Sequence, residues 1–279
     1  MKNILNEQEI NFICQTALNA GETAKTAFFK KNFTINKKND NSKVTSVDVE
    51  ISKYISQQLL EKFPLFKIIC EEGNFRNVTN EEIFFLIDPI DGTSSFINDN
   101  TEFSINIALI KNNKPIFGLI YAPLFEGGKM IFNDQNNNLI NFNLKNNTKE
   151  FLQNNKTKSN KIRIVTSARS KDEDIHNFID QLLLEKNKYL VEKLSSAVKF
   201  IRILENKSDL YLHFRKSMEW DTASGQILSE LKGAKVRNLL FKDKKFFLGE
   251  DLLYKKPQFI NGAFIVDLHQ SYFKLEQKF

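Results

Sequence analysis

Two carboxylates and a hydroxyl stand together in Asp88-Pro89-Ile90-Asp91-Gly92-Thr93, directly after the apolar segment 83–87. A buried strand is expected over 83–87. Pro89, which has no amide hydrogen, is expected to stop its ladder, and Gly92 permits a tight turn. The chain then leaves the sheet with both acids in one small space. Anions this close in an apolar setting need protons or cations to neutralise them, and all-oxygen ligands favour magnesium, with manganese as a substitute. Acids and hydroxyls recur at other expected element boundaries: Thr45-Ser46-Val47-Asp48, Glu71-Glu72-Gly73, Ser94-Ser95-Phe96 and Glu219-Trp220-Asp221-Thr222. Side chains at boundaries converge without being committed to packing. Taken singly each has a plain structural role: Asp48 fits a capping box with Thr45, Asp221 fits a helix cap, and Asp91-Gly92 fits a turn. Their joint occurrence is not explained by caps and turns.

The elements that must position these residues follow from periodicity. Ile10, Ile13, Cys14, Ala17, Ala20, Ala24, Ala27 and Phe28 recur at threes and fours, which predicts a helix over 6–31. Val47, Ile51, Tyr54, Ile55 and Leu59 predict a second helix, capped by Thr45 or Ser46 and closed by Pro64. A short strand is expected at 67–70, a polar excursion at 73–82, and a hairpin of 103–110 with 115–121. The first half therefore reads as α+β. Asparagine and lysine crowd 133–160, the best candidate for a flexible boundary. Beyond it, strands at 162–166, 210–214 and 258–266 and helices at 172–185 and 220–231 read as α/β. The expected domains are 1–135, metal-binding, and 161–279, supplying Asp221 and substrate contacts, joined by 136–160.

A chain of 279 residues, 41% hydrophobic, can bury a sizeable core. Its apolar runs are too short to span a bilayer and the N-terminus lacks a signal-like block, so a cytoplasmic protein is expected, with peripheral membrane contact through lysines as an alternative. Cys14 and Cys70 read as reduced core residues rather than a disulfide. The net charge of +6 is spread over scattered lysines, which argues against a nucleic-acid polymer and for small anionic substrates. Three histidines offer no persuasive nucleophile or metal pair, and His176 and His213 read as structural.

The acidic pair Glu71-Glu72, the run Asp88 to Phe96 and the later Trp220-Asp221-Thr222-Ala223-Ser224-Gly225 together resemble the magnesium-dependent, lithium-sensitive phosphatases that include inositol monophosphatase and fructose bisphosphatase. The match spans almost the whole chain. Within that superfamily the sequence looks like the 3'(2'),5'-bisphosphate nucleotidases, through Ser94-Ser95-Phe96-Ile97, Thr101 to Ile110, Ser195-Ser196-Ala197-Val198-Lys199-Phe200 and Asp209-Leu210-Tyr211. The resemblance implies a layered αβαβα sandwich and two or three magnesium ions. Glu71, Asp88 and the Ile90 carbonyl would hold the first metal, Asp91 and Asp221 the second, with Asp88 bridging. Thr93, paired with Asp48, would orient and help deprotonate the attacking water, and the amides of Gly92 and Thr93 would cradle phosphate oxygens.

Ser196 and Lys199 would meet the nucleotide, Lys199 at the phosphate that is not cleaved or at the ribose. Leu194, His213 and Lys232-Gly233 depart from the family's glycine, arginine and glycine pair, with Arg215 a replacement for the missing arginine. Glu72, Glu81 and Glu82 read as solvated charge, Glu219 as a supporting or surface residue, and Trp220 as packing beneath the site. The implied reaction is release of the 3'-phosphate of adenosine 3',5'-bisphosphate. Inositol monophosphate or another sugar phosphate is the alternative substrate, and a non-catalytic nucleotide sensor is the alternative class. A homodimer is compatible with the family.

Overall fold

The computed structural model describes residues 4–38, 41–73, 83–152, 160–181 and 188–270. Helix α1 (Glu7–Lys30) begins at a capping box in which Asn6 Oδ1 accepts from the Glu9 amide and Glu9 Oε2 accepts from the Asn6 amide. A short hairpin, β1 (Ile35–Lys37) with β2 (Lys43–Thr45), leads into α2 (Ser46–Lys62), where Thr45 and Asp48 form the same kind of box. Each helix buries one stripe, Ile10, Ile13, Ala17, Ala20 and Ala24 from α1 and Val47, Ile51, Ile55 and Leu59 from α2.

Next come β3 (Lys67–Cys70), β4 (Ile83–Asp91), the short helix α3 (Thr93–Ile97), β5 (Ser104–Lys111), β6 (Lys114–Ala122), β7 (Lys129–Asn133), β8 (Leu139–Asn143) and β9 (Thr148–Phe151). These seven strands form one sheet in chain order, parallel between β3 and β4 and antiparallel elsewhere. Asn112 and Asn113, both at positive φ, make the two-residue turn between β5 and β6. Residues 139–151 fall inside the expected flexible connection yet form two further strands. Their periodicity is hidden because β9 is exposed along its whole length. Most of the expected polar excursion, 74–82, lies outside the described residues.

The second half runs β10 (Ile162–Ser167), α4 (Asp172–Gln181), β11 (Tyr189–Leu194), α5 (Val198–Leu204), β12 (Leu210–His213), β13 (Ser217–Met218), α6 (Glu219–Leu231), β14 (Lys235–Lys242), β15 (Lys245–Asp251), β16 (Ile260–Asn261) and β17 (Phe264–Asp267). Six of these strands form a sheet ordered β11-β10-β12-β17-β14-β15. The late strand expected at 258–266 is broken, because Gln258 and Phe259 take positive φ in a 3-10 turn. Helices α1 and α2 cover one face of the first sheet, α5 and α6 fill the space between the sheets, and α4 packs on the outer face of the second. This is the layered αβαβα arrangement the resemblance implies. Cys14 and Cys70 are buried and free, and no helix among the described residues is long and apolar enough to cross a membrane.

Candidate active site

Strand β4 does not end at Pro89. Asp88 pairs with Asn106 and Asp91 with Ser104, so three steps along β4 match two along β5. In a regular strand, residues three apart face opposite sides of the sheet. The extra residue at Pro89-Ile90 is a bulge, a place where a proline's missing amide costs no ladder bond, and it returns Asp91 to the face of Asp88. On that face Phe84, Leu86, Ala108 and Ile110 pack with Trp220 and Ala223 of α6, while Phe85, Ile87 and Ile90 point the other way, into the α1–α2 core. The first turn of α6 presents Asp221, whose Oδ2 accepts from the Met218 amide at 2.8 Å. Asp88, Asp91 and Asp221 thus each place an oxygen within 4.8 Å of the others.

Burial is the largest cause pushing all three carboxyls up, and the neighbouring Glu71 charge adds to it in each. Asp88 rises well above the usual carboxylate range through burial first and then the charges of Glu71, Asp91 and Asp221. Asp91 is pushed up to about 6 by burial, against the pull of Lys199 and a hydrogen bond from Asn106. Asp88 Oδ1 is buried with no hydrogen-bond partner among the described residues. An orphaned carboxylate oxygen inside a ring of acids fits a divalent cation with oxygen ligands, and these residues therefore suit magnesium or manganese.

Glu71 follows β3, and its amide bonds the Ile87 carbonyl at 3.1 Å. Its Oε1 accepts from Lys38 Nζ at 2.7 Å, and the same ammonium pairs with Glu72. Burial disfavours the Lys38 charge, but these two carboxylates more than restore it. Glu72 is therefore not the solvated charge its sequence suggested: it is largely buried because Lys38 neutralises it. Glu81 and Glu82 lie outside the described residues.

Thr93 opens α3, and its Oγ1 lies 2.9 Å from Asp48 Oδ1 and 3.1 Å from the Ile90 carbonyl. Asp48 is both cap and neighbour of the acids: Oδ2 accepts from the Thr45 amide at 2.8 Å and from the Thr45 hydroxyl, leaving Oδ1 for Thr93. Gly92, at φ 90, stands where a Cβ would meet the Glu102 carbonyl at 2.8 Å and Ser196 Cβ at 3.1 Å. Glu102 also reaches across the halves, accepting from the Ser195 amide at 2.8 Å. The loop it holds puts Ser196 at φ 47. Lys199, 5% exposed, donates to the Ser196 carbonyl and lies over the Tyr211 ring at 5.5 Å.

A cavity of about 390 Å³ joins these groups. Its floor holds Asp88, Asp91, Asp221 and Glu71, its walls Ile90, Gly92, Thr93 and Ser196, and its cationic side Lys199, Arg169 and Lys43. Arg169, which the sequence reading missed, donates to Ser94 Oγ at 2.7 Å. Arg215 is exposed and does not line the cavity, so the arginine at the rim comes from the end of β10 instead. His213 lines the cavity with its ring stacked on Phe264, centroids 5.0 Å apart, and burial followed by the Lys199 charge pushes it down to about 3, a neutral ring. Leu194 is a core residue. Trp220 packs against Phe259 behind the acids. Glu219 is fully buried, not on the surface, and accepts from the Lys255 and Lys256 amides at 2.7 and 2.9 Å.

A profile described as the inositol monophosphatase family matches residues 5–270. Curated relatives include the 3'(2'),5'-bisphosphate nucleotidase CysQ of Buchnera aphidicola subsp. Acyrthosiphon pisum, 30% identical over 90% of this chain and 91% of that protein. The CysQ of Haemophilus influenzae is 28% identical over 82% and 84%. Among solved structures, CysQ from Bacteroides thetaiotaomicron superposes with a TM-score of 0.71 at 23% identity, covering 95% of this chain and 98% of that one. An IMPase/NADP phosphatase complexed with Mg²⁺ and phosphate gives 0.73 at 18% identity, covering 98% and 96%.

Proposed function

The chain belongs to the inositol monophosphatase family, and from that premise we propose that it is a magnesium-dependent phosphatase releasing the 3'-phosphate of adenosine 3',5'-bisphosphate to leave AMP. The observation that carries this reading is the cavity with three convergent aspartates on one side and Lys199 with Arg169 on the other. A substrate with two separated phosphates suits both walls. The CysQ names of relatives covering most of the chain support the same substrate class.

Glu71, Asp88 and the Ile90 carbonyl would hold one cation, and Asp91 and Asp221, with Asp88 shared, a second. Bound cations neutralise the phosphate, lower the pKa of water and stabilise the departing oxygen. The chain's own groups do the positioning. Asp48, fixed by the Thr45 cap, takes the Thr93 proton, so the Thr93 oxygen lone pairs face the cavity and accept a proton from the attacking water. The Gly92 and Thr93 amides line the path of the phosphate oxygens, and Lys199 and Arg169 hold the anion that is not cleaved.

The test is phosphate release from adenosine 3',5'-bisphosphate with magnesium present. Release that disappears with chelation and with Asp91→Asn is expected; release surviving both rejects the mechanism. A strong kcat/KM preference for inositol 1-phosphate keeps the mechanism and reassigns the substrate.

A further inference from the structure

Asn106 sits on β5 directly across from Asp88 in register. Its Nδ2 donates to Asp91 Oδ2 at 3.1 Å, and the side chain is 1% exposed. Because of the β4 bulge, the residue paired with Asp91 is Ser104, and its hydroxyl makes no hydrogen bond among the described residues. Asn106 Oδ1 is likewise buried without a partner there. A buried acceptor left unpaired weakens the fold, and leucine, of similar shape, would fill the same space without that cost. The amide's donor end is committed to the Asp91 carboxylate.

We propose that Asn106 is a positioning residue that sets the affinity of the second cation position by aiming the Asp91 carboxylate. The inference rests on the metal-site reading above. The Asn106 amide holds Oδ2 and, together with a hydrogen bond from the Ala197 amide, fixes how the Asp91 carboxylate is turned in the cavity. An amide does this without adding charge: an acid here would increase the repulsion among Asp88, Asp91 and Asp221, and a lysine would itself compete for their oxygens.

The experiment is a Mn²⁺ titration of the chelator-stripped full chain. It is followed by the emission of Trp220, the single tryptophan, and by electron paramagnetic resonance of free Mn²⁺. The unaltered protein is expected to bind two ions. Asn106→Leu should bind the first with unchanged affinity and the second on the order of ten- to a hundredfold more weakly, with a melting temperature in chelator no lower than the parent's. Ser104→Ala should change neither affinity. Equal binding of both ions by Asn106→Leu, equal weakening of both, or a parent that binds a single ion overturns the inference. Should Asn106→Leu fail to fold, Asn106→Ala carries the same expectation for the second ion. A parent that binds no Mn²⁺ rejects the metal-site reading itself, so the two failures are distinguishable.

Discussion

Thr93 Oγ1 donates to Asp48 Oδ1 at 2.9 Å, linking the first residue of one helix to the capping turn of another 45 residues away. The second oxygen of Asp48 is held by Thr45, so the carboxylate cannot rotate away from the hydroxyl. Thr93→Val and Asp48→Asn are each expected to lower kcat by roughly 10²- to 10⁴-fold with little change in KM, while Thr93→Ser keeps most activity. Asp48→Asn also weakens the cap, at a cost of about 1 kcal/mol by thermal melt. Full kcat in Thr93→Val would remove Thr93 from the chemistry.

Cation binding to clustered acids should appear as stability. Magnesium at about a hundred times its Kd adds about 2.7 kcal/mol to a protein that binds it only when folded. The melting temperature of chelator-treated protein should rise accordingly on adding magnesium. Asp221→Asn should lose most of the rise, because one of three convergent oxygens no longer carries charge. A shift of equal size in the variant would contradict the shared site.

Lys199 is buried, and burial pushes its ammonium down to about 8 against the pull of Asp91, Asp221 and Glu102. A charge-assisted contact from such a group is worth about 1.5–3 kcal/mol. Lys199→Met is therefore expected to raise KM for the bisphosphate on the order of tenfold or more, and to change KM for 3'-AMP far less. Arg169→Ala should act in the same direction. Equal effects on both substrates would show that neither cation meets the uncleaved phosphate.

Asp221 reaches the site because α6 lies close to β6. At Gly118 on β6 a Cβ would come within 2.6 Å of both the Ser224 carbonyl and Ile227 Cγ2. The carbonyl belongs to the helix and cannot move without it. Gly118→Ala should cost roughly 1–3 kcal/mol by overpacking and should weaken metal binding as α6 shifts. Wild-type melting and metal affinity in this variant would disprove the close-packing account.

Far from the site, Asp209 accepts from Arg163 Nη2 at 2.6 Å, from the Arg163 amide at 2.8 Å and from His269 Nε2, also at 2.8 Å. Burial would raise its carboxyl, but Arg163 first and His269 after it hold it below the ordinary 3.8. An acid with a lowered folded pKa stabilises the fold above its unfolded pKa and loses that contribution as pH falls through the folded value. Asp209→Asn should thus cost about 2 kcal/mol at pH 7, with the gap to the parent closing as pH falls below about 4. Melts across that range measure it; a gap independent of pH would show that charge is not the cause.

The amphipathic stripes of α1 and α2, the Thr45 cap and the β5–β6 turn were legible because each depends on residues within a few positions of one another. The acids were legible for the same reason: Asp88 to Thr93 is one local run. Local spacing also misled. Pro89 reads as a ladder stop, yet β5 tolerates it as a bulge, and the lysine- and asparagine-rich 139–151 reads as a linker because its edge strand β9 is exposed along its whole length and so carries no apolar alternation. Arg169, Asn106 and Lys38 carry no sequence signal, since each matters only for what lies beside it in space.

From its residues alone, the chain determined which groups it owns and which short turns it must make, because capping, turn geometry and apolar period act over single helical turns and strands. Tertiary packing decided which oxygens meet. The side of the sheet that Asp91 faces depends on pairing with β5, and the approach of Asp221 depends on α6 settling against β6; both are long-range contacts, and no local preference encodes them.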